Sequence, residues 1–219
     1  MLMTAFGIPF DETVIPMYFP DSKARMLDVS PTGKVPCLTE GDVKVWESLA
    51  ICEYLHERFP EKAIWPSDPK ARAHARAAAS EMHAGFQALR SACPMNLGKR
   101  FAARDDLGSD VADNVRRLEG VWSEARVRFG EKATPGGRFL YGPFSAADAM
   151  FAPVVTRLDT YQIRVSSAAR RYMDDVLAHP AFVTWRAQAL AESWSVPHYE
   201  VGWTPVEVFH QPKPDLLQP

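Results

Sequence analysis

Glu47 and Ser48 open an apolar run, Leu49-Ala50-Ile51-Cys52, that reads as a helix. A carboxylate and a hydroxyl at that place can meet an ammonium and a carboxylate. The first helical N–H groups are free there, and the helix dipole favours an anion. Upstream lies Gly33-Lys34-Val35-Pro36-Cys37-Leu38. Proline cannot donate to a ladder, so Pro36 belongs at a strand's first residue or in a cis turn. Val35 then keeps its N–H and C=O free for another extended backbone. A free strand backbone, a carboxylate and a helix N-terminus together suit a small zwitterionic peptide.

Other chemistries are weaker. Cys37 and Cys52 lie in apolar contexts and read as inert core thiols; Cys93 stands at a helix end beside Pro94. No Cys-x-x-Cys is present, which sets aside disulfide exchange. The six histidines show no metal-ligand spacing, so no metal is expected. Asp148 follows Ser145 by three residues, the pattern of a capping box rather than of a catalytic acid. Arg72, Arg76 and Arg90 read as a solvated helix face, and Lys99-Arg100 as surface.

The elements that must position Val35 and Glu47-Ser48 occupy the first third. Met1 to Phe6 reads as the last turn of a helix stopped by Gly7, and Phe10 to Ile15 alternates well enough for a strand. Tyr18 to Ser30 suits a short capped helix or an irregular loop. Val35 to Thr39 and Val43 to Trp46 form a hairpin about Glu40-Gly41-Asp42, before a helix from Glu47 to Phe59. Pro60 to Pro69 is too rich in proline for regular structure.

Beyond it the period becomes helical throughout. One stripe runs Ala71, Ala75, Ala78, Met82, Phe86, Leu89 and is closed by Pro94. A second runs Val111, Val115, Leu118, Trp122, Ala125, Phe129 and is stopped by Gly130. Further helices follow Ser145, Ser167 and His179-Pro180; Pro153 should kink the first of them. Lys213-Pro214-Asp215 reads as a loose tail, and no strand is expected after the linker.

The chain has 219 residues, 47% of them hydrophobic, and a formal net charge of −2. That length supports one large or two small cores, and the balanced charge gives no reason to expect nucleic acid or an acidic membrane surface. No apolar run approaches a membrane span, no leader pattern opens the chain, and three scattered cysteines suit a reducing cytoplasmic setting.

Taken in order, Gly33-Lys34-Val35-Pro36, Glu47-Ser48-Leu49-Ala50-Ile51, Ser145-Ala146-Ala147-Asp148 and His179-Pro180-Ala181-Phe182 resemble the cytosolic glutathione transferases, most of all their bacterial, zeta-like members. The resemblance implies an α/β plus all-α fold: an incomplete thioredoxin-like glutathione-binding domain over 1–60, a linker over 61–69, and a helical domain with the electrophile pocket over 70–219. Glutathione would be the co-substrate, bound by Lys34, Val35, Pro36, Glu47 and Ser48. Val35 would pair with the cysteinyl unit beside a cis Pro36, Glu47 and Ser48 would hold the γ-glutamyl end, and Lys34 would reach toward the glycyl carboxylate. The pocket would draw on Met82, His83, Phe86 and Arg90, and the protein would be a homodimer. The family's first strand and thiolate-activating Ser, Tyr or Cys would precede residue 1, so the catalytic residue is not identified in this sequence. Thr4 and Tyr18 are early hydroxyls, the first expected in mid-helix and the second in loop packing. The implied activity is conjugation or isomerisation of a small hydrophobic electrophile; the alternative is a non-catalytic transferase-like binding or dimerisation protein.

Overall fold

The computed structural model describes residues 1–210. The first third is a small α/β unit: α1 (Leu2–Ala5), α2 (Ser22–Val29), the hairpin β1 (Cys37–Glu40) and β2 (Val43–Trp46), and α3 (Ser48–Arg58). The strands are antiparallel with Glu40 opposite Val43, so Gly41-Asp42 is a two-residue turn with Gly41 at φ +60°. Gly7 ends α1 at φ +60° as expected. Phe10 to Ile15 is not a strand. The described hairpin pairs only with itself, and an extended segment without a ladder partner has no reason to adopt strand geometry. The first strand likewise begins at Cys37, two residues later than Val35.

The proline-rich connection is more ordered than its composition suggests. It makes a short 3₁₀ turn at Pro60–Lys62 and buries Ile64 and Trp65 completely. The carbonyl of Ile64 accepts from the N–H of Ala146 at 2.8 Å, tying this stretch to the start of a bundle helix. Lys62 Nζ donates to the carbonyl of Phe6 at 2.9 Å, and Arg76 grips Glu53 with both ends of its guanidinium. The α/β unit is thereby pinned to the helices. Arg76 is part of that joint, not a solvated face.

The bundle comprises α4 (Pro69–Ala84), α5 (Gln87–Ala92), α6 (Ser109–Ala125), α7 (Glu131–Ala133), α8 (Ala146–Thr160), α9 (Ser167–Leu177) and α10 (Pro180–Leu190). Asp68 caps α4 by accepting from Ala71 N–H at 2.8 Å, and Pro69 sits where its missing donor costs nothing. The expected stripe is buried, but the helix is broken: Phe86 takes φ +61° after Gly85, separating α4 from α5. A second strand pair, absent from the sequence reading, joins β3 (Lys99–Phe101) to β4 (Pro205–Val208). Neither is apolar enough to stand out. Beside that backbone ladder Arg100 pairs with Glu207 of β4 and with Asp159 of α8, and Lys99 with Glu200, so Lys99-Arg100 is tied into the structure rather than simply solvated. The expected tail at Lys213-Pro214-Asp215 lies outside the described residues.

The core centres on Trp122, whose ring meets Phe151 and Tyr172 edge-on at 5.8 and 4.9 Å. Gly130 does not stop α6. The chain continues through a π turn, Arg126–Gly130, into α7, and Gly130 is buried where a Cβ would lie 2.7 Å from the carbonyl oxygen of Leu140. The residue is glycine for closeness rather than for termination. Gly130→Ala is expected to destabilise the protein by about 2 kcal/mol through this backbone clash, read as a lowered urea midpoint with unchanged slope. No helix among the described residues is long and apolar enough to cross a membrane.

Candidate functional site

Gly33 turns the chain at φ +59°, buried against the side chains of Lys23 and Leu27. Lys23 Nζ donates to the carbonyl of Gly33 at 3.1 Å, so α2 holds the approach to Val35. The Val35–Pro36 peptide is cis. Val35 is 44% exposed and makes no backbone hydrogen bond among the described residues. Lys34 and Pro36 are also exposed. The backbone edge expected from the sequence is therefore free.

Glu47 is not the first helical residue; it precedes α3 at φ +70°, a conformation that L residues other than Asn and Asp seldom take. Its carbonyl accepts from Ile51 N–H at 3.0 Å, and its carboxylate lies 3.4 Å from the imidazole of His83 on α4. No side chain caps α3. The N–H groups of Ser48, Leu49 and Ala50 have no acceptor among the described residues, and Ser48 Oγ stands beside them. Such a terminus is a ready seat for a carboxylate. Non-glycine strain of this kind commonly marks a ligand-binding position.

Of the helix residues expected to supply a pocket, Met82 and Phe86 are core side chains, 3% and 9% exposed. His83 is exposed beside Glu47. Arg90 is half-buried and donates to the carbonyls of Met82 at 2.7 Å, Gly85 at 3.0 Å and His83 at 3.3 Å, which closes the break between α4 and α5. It is a cap rather than a solvated charge.

Tyr18 reaches the carboxy-terminal segment, its hydroxyl 3.3 Å from that of Tyr199. Tyr18 itself sits at φ +67°. Arg157 of α8, within electrostatic range of Tyr199, donates from Nη1 to the carbonyl of Pro153 at 3.1 Å, and its Nε is buried without a partner among the described residues. Neither Tyr199 nor Arg157 was singled out from the sequence. The available signal was a lone arginine in the apolar run Ala146–Leu158.

The thiols are quiet. Burial pushes Cys52 up to about 12 and Cys93 up to about 11, so neither is a nucleophile at neutral pH. Thr4 is an exposed residue of α1. Among the described residues no cluster of His, Cys, Asp and Glu could hold a metal ion. Two half-open clefts, of about 280 Å³ around Asp159 and Arg170 and about 380 Å³ between Met95 and Tyr199, have linings that include neither Val35 nor Ser48. The Lys34 to Pro36 stretch of the candidate site is an exposed edge.

Residues 1–58 match the family model for the glutathione S-transferase N-terminal domain. The maleylacetoacetate isomerase of Pseudomonas aeruginosa is 29% identical over 165 residues, covering 71% of this chain and 72% of that protein. Glutathione S-transferase 1 of Dianthus caryophyllus is 31% identical over 138 residues, 60% of this chain and 57% of its own length. A probable maleylacetoacetate isomerase of Caenorhabditis elegans is 32% identical over 83 residues, of which the chain spans 39% of the protein's length. Among solved structures, a glutathione transferase homolog from Burkholderia with bound glutathione superposes with TM-score 0.62 at 23% identity, over 85% of this chain and 87% of that one. Ure2p in complex with glutathione gives TM-score 0.63 at 19% identity, over 84% and 89%. The fold expected from the sequence, a thioredoxin-like unit followed by a helical domain, is that of these structures.

Proposed function

We propose that this chain, a member of the glutathione S-transferase family by its amino-terminal domain and its fold, binds glutathione and presents it to a small electrophile for conjugation or isomerisation. One observation carries the reading: a backbone without hydrogen bonds at Val35, in the bend just ahead of β1, stands on the same hairpin-and-helix unit as the uncapped N-terminus of α3. In it the γ-glutamyl carboxylate sits on the N–H groups of Ser48, Leu49 and Ala50 with Ser48 Oγ. The ammonium meets the carboxylate of Glu47. The cysteinyl unit pairs with the Val35 backbone, and Lys34 lies toward the glycyl carboxylate. These donors hold the peptide by charge-assisted hydrogen bonds, the stronger kind. The relatives' names, a maleylacetoacetate isomerase and a glutathione S-transferase, support this class of chemistry. Catalysis would then come from placing the sulfur against the electrophile and from whatever donor stabilises the thiolate. A homodimer in the cytoplasm suits the family, and the domain limits 1–60 and 70–219 are the division this reading uses.

Calorimetric titration of the full chain with glutathione tests the proposal; no saturable heat at millimolar peptide would refute it. The strained Glu47 gives a sharper form. Glu47→Gly removes the cost of a positive φ, so the variant is expected to melt no lower than the parent while binding glutathione about tenfold more weakly. A variant that loses stability but keeps its affinity would make Glu47 a purely structural residue.

A further inference from the structure

The cleft of about 380 Å³ opens between the end of α10 and the stretch that leads into β3, with Met95, Leu97 and Trp194 among its apolar walls. That volume is at the small end of pockets that take small molecules, about 300–1,000 Å³. Most of its polar groups are already spent. Lys99, the only cation among the described lining residues, pairs with Glu200 at 2.6 Å. Asn96 donates to the same carboxylate at 3.3 Å and accepts from the N–H of Gly98 at 2.9 Å. The hydroxyl of Tyr199 is taken up with that of Tyr18.

Two lining groups are not spent. Glu192, half-buried just past α10, makes no hydrogen bond or ion pair among the described residues. Burial holds its carboxyl above the usual carboxylate range; nearby His210 opposes this and Glu12 adds to it. His210 is the second. Its backbone N–H donates to the carbonyl of Gly98 at 3.2 Å, and its Nδ1 lies 2.9 Å from the carbonyl of Leu190, the last residue of α10. A carbonyl only accepts, so Nδ1 carries a proton there, and in the neutral ring Nε2 is left as a lone pair. That Nε2 is buried and has no partner among the described residues. Gly98 permits the close packing, since a Cβ there would lie 3.2 Å from Cβ of His210. A desolvated carboxylate and a buried lone pair each cost free energy until a donor meets them. Both line the same cleft.

We propose that this cleft binds a primary amine carried on an apolar or aromatic body, with Glu192 as its counter-ion and His210 Nε2 accepting one of its N–H groups. An ammonium has three donors, two for these acceptors and a third for solvent at the open side. Trp194 offers an aromatic face on which a cation rests favourably, and Met95 and Leu97 take the apolar body. A metal ion does not suit, because no group of His, Cys, Asp and Glu among the described residues could hold one. An anion does not suit either: Lys99 is neutralised by Glu200, and Glu192 repels it. The site stands apart from the glutathione seat, since its lining includes neither Val35 nor Ser48, and either can fail without the other.

The test titrates the full chain at pH 7 with phenylalkylamines carrying two, three and four methylenes, each against the alcohol of the same length, by calorimetry. At one or more lengths the amine is expected to bind at least about tenfold more tightly than the alcohol, and Glu192→Gln to remove that preference. Glu192→Gln is also expected to melt no lower than the parent, because it removes a charge that burial disfavours. Equal binding of amine and alcohol at all three lengths overturns the proposal. A preference that survives in Glu192→Gln places the amine elsewhere and overturns it as well. A variant melting several degrees below the parent would make Glu192 a structural residue, which also overturns it.

Discussion

Replacing Asp148 with alanine is expected to lower the free energy of unfolding at pH 7 by about 3 kcal/mol and the melting temperature by roughly 6–12 °C. Asp148 is wholly buried at the start of α8 and accepts from four donors: Leu140 N–H at 3.1 Å, Ser145 N–H at 2.9 Å, Ser145 Oγ at 3.0 Å and Tyr172 OH at 3.2 Å. Alanine leaves all four facing an apolar gap, and each buried donor without an acceptor carries its own desolvation cost. The residue joins the 140s loop, α8 and α9 at one point, which is why a single carboxylate has so large a share. Its titration gives a second readout. Burial pushes the carboxyl up to about 6, the four donated bonds holding it lower than burial alone would. The folded value exceeds the usual unfolded one near 4. The folded state therefore binds the extra proton first, and the proton-linked part of the stability, separate from the hydrogen bonds kept at pH 7, is full below about pH 4 and lost as pH rises through about 6. Relative to Asp148→Asn, which does not titrate, the parent is expected to gain stability between pH 7 and pH 5. Denaturant midpoints for the two proteins at both pH values check it.

Ser48→Ala is expected to weaken glutathione binding by about tenfold to a hundredfold with little effect on folding. Ser48 Oγ makes no internal cap bond, so its loss strands no buried partner. What disappears is a donor to the γ-glutamyl carboxylate. The α3 N–H groups remain, so binding is reduced rather than removed. A titration in which Ser48→Ala binds like the parent would move the carboxylate elsewhere. A purely structural serine would instead show itself in the melting curve.

Much of this site was legible because it is built from short local rules. A proline ahead of a strand, an acid and a hydroxyl ahead of a helix, and glycines at positive φ each act within a few residues, so Val35-Pro36, Glu47-Ser48 and the Gly41-Asp42 hairpin read directly from the chain. The capping box at Ser145 and Asp148 was legible for the same reason, and the two apolar stripes fell on the core. What the sequence hid depends on distant partners. Gly130 looked like a helix stop but is a close approach to Leu140, in the loop that leads to α8. β3 and β4 are short and charged, and pair across about a hundred residues of chain. Phe10 to Ile15 has strand alternation without a ladder to join. Phe86 has the period of a continuing helix, yet it takes φ +61° because the chain breaks at Gly85 and Arg90 gathers the freed carbonyls. The strain at Glu47 was hidden as well, since nothing in its neighbours demands a positive φ.

The central claim is a glutathione seat made by Val35 and the start of α3. A crystal structure of the full chain grown with glutathione tests it most directly. The γ-glutamyl carboxylate is expected on the N–H groups of Ser48 to Ala50, the ammonium at Glu47, and the cysteinyl backbone paired with Val35. Glutathione bound elsewhere on the molecule, or an α3 N-terminus left empty at saturating peptide, would contradict the account.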